Sequence, residues 1–173
     1  MLRHLLGFEL AQLFKNGVFW IVVAVYALMG FGTMASDNVS IGGGVGNIMR
    51  NAPAVVISII GSFSVISVLL ATIFVAGIAI RDFEQRTAEL FFATPMKKRD
   101  YLLGRFGGGL VATFAIMLAM AIGLYVGSLM PWLDSSRLGP TPWLAYAWAF
   151  GVLVLPNLLF VASLMFLLAT LTR

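Results

Sequence analysis

The chain has 173 residues, 61% of them apolar and only 10% charged, with a mean hydropathy of +1.00. Soluble domains run about 45–50% apolar and about 25% charged, so eleven Lys and Arg with seven Asp and Glu cannot clothe a water-facing surface of this size. A soluble domain is excluded, thiol chemistry is excluded by the absence of Cys, and the net charge of +4 belongs to membrane loops rather than to a nucleic-acid surface.

The first residues form a short amphipathic pattern. On a helical wheel Leu2, Leu6, Leu10, Leu13 and Phe14 fall on one side and His4, Gln12 and Lys15 opposite, with Glu9 interrupting the apolar side. This predicts a helix lying on the membrane surface and bending into the first span. His4 has no second ligand or carboxylate beside it, which supports neither metal binding nor catalysis.

Four stretches lack any Asp, Glu, Lys or Arg: Asn16 to Ser36, Asn51 to Ile80, Phe106 to Leu133 and Leu138 to Thr172. A helix needs about 20 apolar residues to cross roughly 30 Å of hydrocarbon, so each stretch can cross. The predicted spans are Val18–Ala35, Val55–Ile80, Phe106–Met130 and Trp143–Leu168 of an all-α, polytopic transmembrane helix bundle. Period-2 alternation, the mark of a membrane β-barrel, is absent. Thr33-Met34-Ala35 loosely imitates a signal-peptide cleavage site, but the segment before it is long and contains Glu9, and the apolar run exceeds a signal core.

The connections differ in character. Asp37 to Asn51 holds Gly42-Gly43-Gly44-Val45-Gly46 without the Lys and Ser/Thr of a phosphate-binding loop, and reads as a flexible turn. Pro131 to Pro142 is a proline-rich surface turn. The connection from Arg81 to Arg105 alternates charge, aromatic and turn residues. If helical from Arg81 to Ala93, it places Phe83, Thr87, Leu90 and Phe91 on one face and Asp82, Gln85, Arg86 and Glu89 on the other. Pro95 ends that helix, Lys97, Lys98 and Arg99 sit at the lipid phosphates, and Asp100 caps a helix starting at Tyr101.

Basic residues give the orientation. Arg3, Lys15, Arg81, Arg86, Lys97, Lys98, Arg99, Arg105 and Arg173 fall on one side and Arg50 and Arg137 on the other, nine against two. Basic short loops stay inside, so both termini are expected to be cytoplasmic, in agreement with an even number of spans. Within the spans, Gly104-x-x-x-Gly108 and Gly123-x-x-x-Gly127 allow close helix approach, inside the bundle or against a second copy. Pro156 is expected to kink the fourth span, with Asn157 bonding the freed backbone.

The spans contain no ionisable residue for ion coupling, and no Gly-Lys-Ser/Thr loop binds a nucleotide. Energy is therefore expected from a separate ATPase, and the chain itself is not expected to be an enzyme. Catalytic, metal and cofactor sites are all expected to be absent: an intramembrane hydrolase lacks a His or Asp partner for Ser, and there is no His-Glu-x-x-His.

Three groups of residues resemble a known family. Arg81-Asp82-Phe83-Glu84, Thr87-Ala88-Glu89-Leu90 and Ala93-Thr94-Pro95-Met96-Lys97-Lys98-Arg99-Asp100-Tyr101-Leu102-Leu103-Gly104-Arg105 resemble the cytoplasmic loop after the second span of ATP-binding-cassette (ABC) type-2 permeases. Gly127-Ser128-Leu129-Met130-Pro131-Trp132-Leu133-Asp134 with Leu138-Gly139-Pro140, and Leu155-Pro156-Asn157-Leu158-Leu159-Phe160 with Leu167 to Arg173, resemble the first half of long bacterial permeases that end in a zinc aminopeptidase-like domain.

The resemblance implies an exporter subunit of the bacterial inner membrane. Its coupling helix would dock an ABC ATPase through the apolar anchors Phe83, Leu90, Phe91 and Met96, oriented by Arg86 and Glu89, with a second permease copy or homologue completing a dimer. Arg86 stands where many members carry Gly. Family permeases have six or more spans, so a chain with four is expected to be a fragment or truncated product. The competing expectation is a non-transporting membrane anchor or assembly module.

Overall fold

Lipid offers no hydrogen-bond partner to a peptide group, so apolar runs close their own backbone bonds as helices. The structure, a computed structural model, describes residues 2–36, 49–84, 98–133 and 137–171, without the side chains of residues 2, 3 and 82–84. Among the described residues there is no strand. The elements are α1 (Leu2–Lys15), α2 (Gly17–Ala35), α3 (Pro53–Ala71), a π-helical turn (Thr72–Ala76), α4 (Gly77–Glu84), α5 (Lys98–Ser128), α6 (Trp143–Trp148), a second π-helical turn (Ala149–Val154) and α7 (Leu155–Leu171).

Among the described residues, four continuous helical stretches are long and apolar enough to cross a membrane: Gly17–Ala35, Pro53–Arg81, Lys98–Ser128 and Trp143–Leu171. They overlap the four predicted spans, with the largest difference at the start of the third. The third helix begins at Lys98, not at Tyr101 or Phe106, and Asp100 lies within its first turn rather than before it. A carboxylate there suits the positive helix end. With 31 residues, α5 is about 46 Å long, and the uncharged part from Phe106 onward suffices for the hydrocarbon. The charged first turns extend beyond it.

Between α1 and α2 the chain turns at Asn16, whose Oδ1 accepts the Val18 N–H at 3.0 Å, an N-cap for the first span. The predicted amphipathic helix α1 is present, but its buried face is Leu5, Glu9 and Leu13, while Phe8 and Phe14 are exposed. The wheel centred on the leucines was rotated, because Glu9 is an inward anchor and not an interruption.

The described chain divides into two units. The first comprises residues 1–19, 67–114 and 158–173. Its apolar core is Ala71, Val75, Val161 and Ala162, flanked by Val68, Phe106, Leu110, Met165 and Phe166. Phe106 meets Phe166 edge to face at 5.7 Å, and Phe19 stands edge-on to both Phe14 at 5.9 Å and Phe74 at 6.1 Å.

The second unit comprises residues 20–66 and 115–157. Here α2 and α5 approach backbone to backbone: a Cβ at Gly123 would collide with the Ala27 carbonyl, and one at Gly127 would lie 2.7 Å from the Phe31 carbonyl oxygen. The Gly123-x-x-x-Gly127 face therefore packs within the chain. Asn157 does not serve the backbone freed by Pro156. Its Nδ2 donates to the Ser64 carbonyl at 2.9 Å and to Ser64 Oγ at 2.8 Å on α3, while the wider π-helical turn just before Pro156 accommodates the missing N–H and the ring. At one end of this unit Asn51 and Gly139 exchange two hydrogen bonds, 2.6 Å from Asn51 Nδ2 and 2.7 Å to its Oδ1. The Arg50 N–H donates to Arg137 O at 2.8 Å.

Candidate functional site

Glu9 is the most consequential residue of the first unit. Its carboxylate accepts two bonds from Arg81 Nη2, at 2.9 and 3.0 Å, and a third from Arg105 Nη1. The side chains of Glu9 and Arg105 are each 1% exposed and that of Arg81 19%, so solvent screens little of this attraction. Arg105 also lies over the ring of Tyr101, 5.6 Å from its centroid, one helical turn earlier on α5.

Glycines bring the carboxylate into place. A Cβ at Gly104 would collide with the Leu5 side chain, and one at Gly108 would lie 2.8 Å from Glu9 Cβ. Gly104-x-x-x-Gly108 thus packs against α1, which lets a short acidic side chain reach Arg105 on α5 and Arg81 on α4.

The cluster has a mechanical meaning. The chain leaves α4 at Glu84 and re-enters helix at Lys98, and one carboxylate holds both flanking helices as well as α1. Arg81 and Arg105 bracket the connection singled out from the sequence. Within that connection, Phe83 lies on α4 with its side chain outside the described residues, and Arg86, Glu89, Leu90, Phe91 and Met96 lie outside the described residues altogether.

In the sequence both arginines stand out as basic loop residues and as the two ends of the segment that resembles a coupling loop, but their joint partner does not. The signal was present: a lone acid on the apolar side of a surface helix requires a buried cation.

A second feature sits in the same unit, at the corner where α1 turns into α2. A groove of about 540 Å³ opens there, its lining made of the polar side chains Glu9, Gln12, Lys15 and Arg81 together with apolar ones that include Val18 and Ile73.

Four helices long and apolar enough to cross a membrane mark a multi-pass membrane protein, and the family match gives it a permease-type role. The model of the ABC-2 family transporter proteins matches residues 4–173, and the chain belongs to that family. No curated protein and no solved structure matches it.

Proposed function

We propose that the chain is a permease subunit of an ABC exporter in the bacterial inner membrane, with cytoplasmic termini and a second permease copy or homologue as its dimer partner. It forms part of the substrate pathway and docks a separate ATPase through the 81–105 loop. ATP hydrolysis belongs to that partner. The family membership supports the class, and the observation that carries the mechanism is the single carboxylate gripping the helices on both sides of the loop.

A push on a loop held by one helix would bend that helix alone. With α4 and α5 joined at Glu9, the same push moves both together with α1, as rigid-body rocking requires. Phe83, Leu90, Phe91 and Met96 are the apolar anchors of the docking face, and Arg86 and Glu89 set its orientation. The likeness to permeases that carry a zinc aminopeptidase-like domain belongs to the same proposal, and the surrounding reading frame tests it.

Phe91→Asp tests the docking. A charge set into the partner's apolar cleft costs on the order of 3 kcal/mol, weakening association about a hundredfold, while Gln85→Asp on the opposite face leaves it unchanged. Both variants are co-expressed with the candidate ATPase and compared by co-purification. Equal recovery of the ATPase with Phe91→Asp contradicts the docking face, and recovery of no ATPase with the parent chain supports the anchor instead.

A further inference from the structure

The groove at the α1–α2 corner has a chemistry that the docking of an ATPase does not use. Lys15 lies in the last turn of α1, directly before the first span, which places its ammonium at the headgroup level of the membrane. Arg81 lines the same groove. The one anion there, Glu9, is already bonded by Arg81 and Arg105, so the groove presents a net positive charge.

Gln12 adds a second signal. Its Oε1 is buried with no hydrogen-bond partner, a costly state for an amide in a partly apolar surround. A flip exchanges the two ends of the amide, so the end that is not buried can face the groove as a donor to a phosphate oxygen or as an acceptor from a hydroxyl. The lining also carries exposed apolar side chains: Val18 is 58% and Ile73 62% exposed. An inorganic anion would leave these unused, whereas an amphiphile covers polar and apolar lining together.

We infer that this groove binds an anionic phospholipid, its phosphate between Lys15 and Arg81, a headgroup hydroxyl or phosphate oxygen on Gln12, and an acyl chain along Val18 and Ile73. Under the orientation proposed above, the lipid comes from the inner leaflet. The bound lipid would fix the corner through which α1 reaches Glu9.

The test is lipid retention by the purified full chain in uncharged detergent, read by native mass spectrometry. Phosphatidylglycerol and phosphatidylcholine of identical acyl chains are offered separately, with inorganic phosphate as competitor. The expected result is preferential retention of phosphatidylglycerol, reduced about fivefold by Lys15→Gln, as the loss of one interfacial cation implies, and reduced also by Gln12→Leu. Arg137→Gln, an exposed cation outside the groove, should retain the parental level.

Equal retention of both lipids, equal loss with Lys15→Gln and Arg137→Gln, or displacement by inorganic phosphate would each overturn the site. Detergent has no sides, so this outcome is independent of the orientation. A wrong orientation shows separately, as labelling of Lys98→Cys from outside intact cells by an impermeant thiol reagent.

Discussion

In the unit built from residues 1–19, 67–114 and 158–173, the space between α1 and α5 beside Gly108 is occupied by a carboxylate bonded to two guanidinium groups. In the unit built from residues 20–66 and 115–157, the space between α2 and α5 is occupied by nothing at all, because Gly123 lets the two backbones touch. Both devices use glycine on the same long helix. Helices in lipid gain no hydrophobic energy from pairing, so each contact needs another source: directional charge in one unit and dispersion across a close-packed interface in the other. The first kind joins three chain segments at a point, and the second fixes two helices along a line.

The sharpest way to break this contrast is Glu9→Ala. It leaves Arg105 buried without its carboxylate, and breaking a buried pair costs about 3–5 kcal/mol. A large drop in thermal midpoint, followed by tryptophan fluorescence in detergent, is the expected outcome. A midpoint within a degree or two of the parent would mean that the cluster contributes no stability.

A smaller loss is expected on the other side of the comparison. Gly123→Val drives a branched side chain into the Ala27 carbonyl, and overpacking of this kind costs about 1–3 kcal/mol. Because the obstacle is backbone rather than a flexible side-chain end, little relaxation is available. The same thermal assay reads it, and an unchanged midpoint would show that α2 and α5 are not in backbone contact.

The smallest effect has the opposite sign. A Cβ at Gly7, on the outer side of α1, meets nothing within 4 Å, so Gly7→Ala should stabilise the helix by about 0.5–1 kcal/mol. A loss instead would place Gly7 against a surface absent from the described contacts. The last two variants together separate glycine as a spacer from glycine as a helix weakness.

Much of this architecture was legible before any coordinates. The four spans follow from charge-free stretches, because a bilayer imposes both length and polarity on a helix. The start of α5 was not legible: Lys98, Arg99 and Asp100 read as loop by charge, yet a helix persists through the headgroup region, where charges are solvated. The Gly123–Gly127 face was legible as a close-packing surface, but spacing on one helix does not name the helix that it meets. Glu9 was visible as an anomaly, and its partners lie 72 and 96 positions away, a separation that periodicity cannot bridge. Asn157 was misassigned for a similar reason, since local backbone and a distant Ser64 compete for one amide.

The most direct measurement of the central claim, that Glu9 joins the helices flanking the proposed docking loop, is permease-dependent ATP hydrolysis by the proposed ATPase partner with Glu9→Gln. The glutamine keeps an oxygen acceptor and the side-chain shape but removes the charge that holds two guanidiniums. The account predicts that the variant inserts, binds the ATPase as the parent does, and loses permease-dependent hydrolysis several-fold. Parental hydrolysis from a folded, ATPase-bound Glu9→Gln chain would contradict it and leave the cluster a purely structural tie.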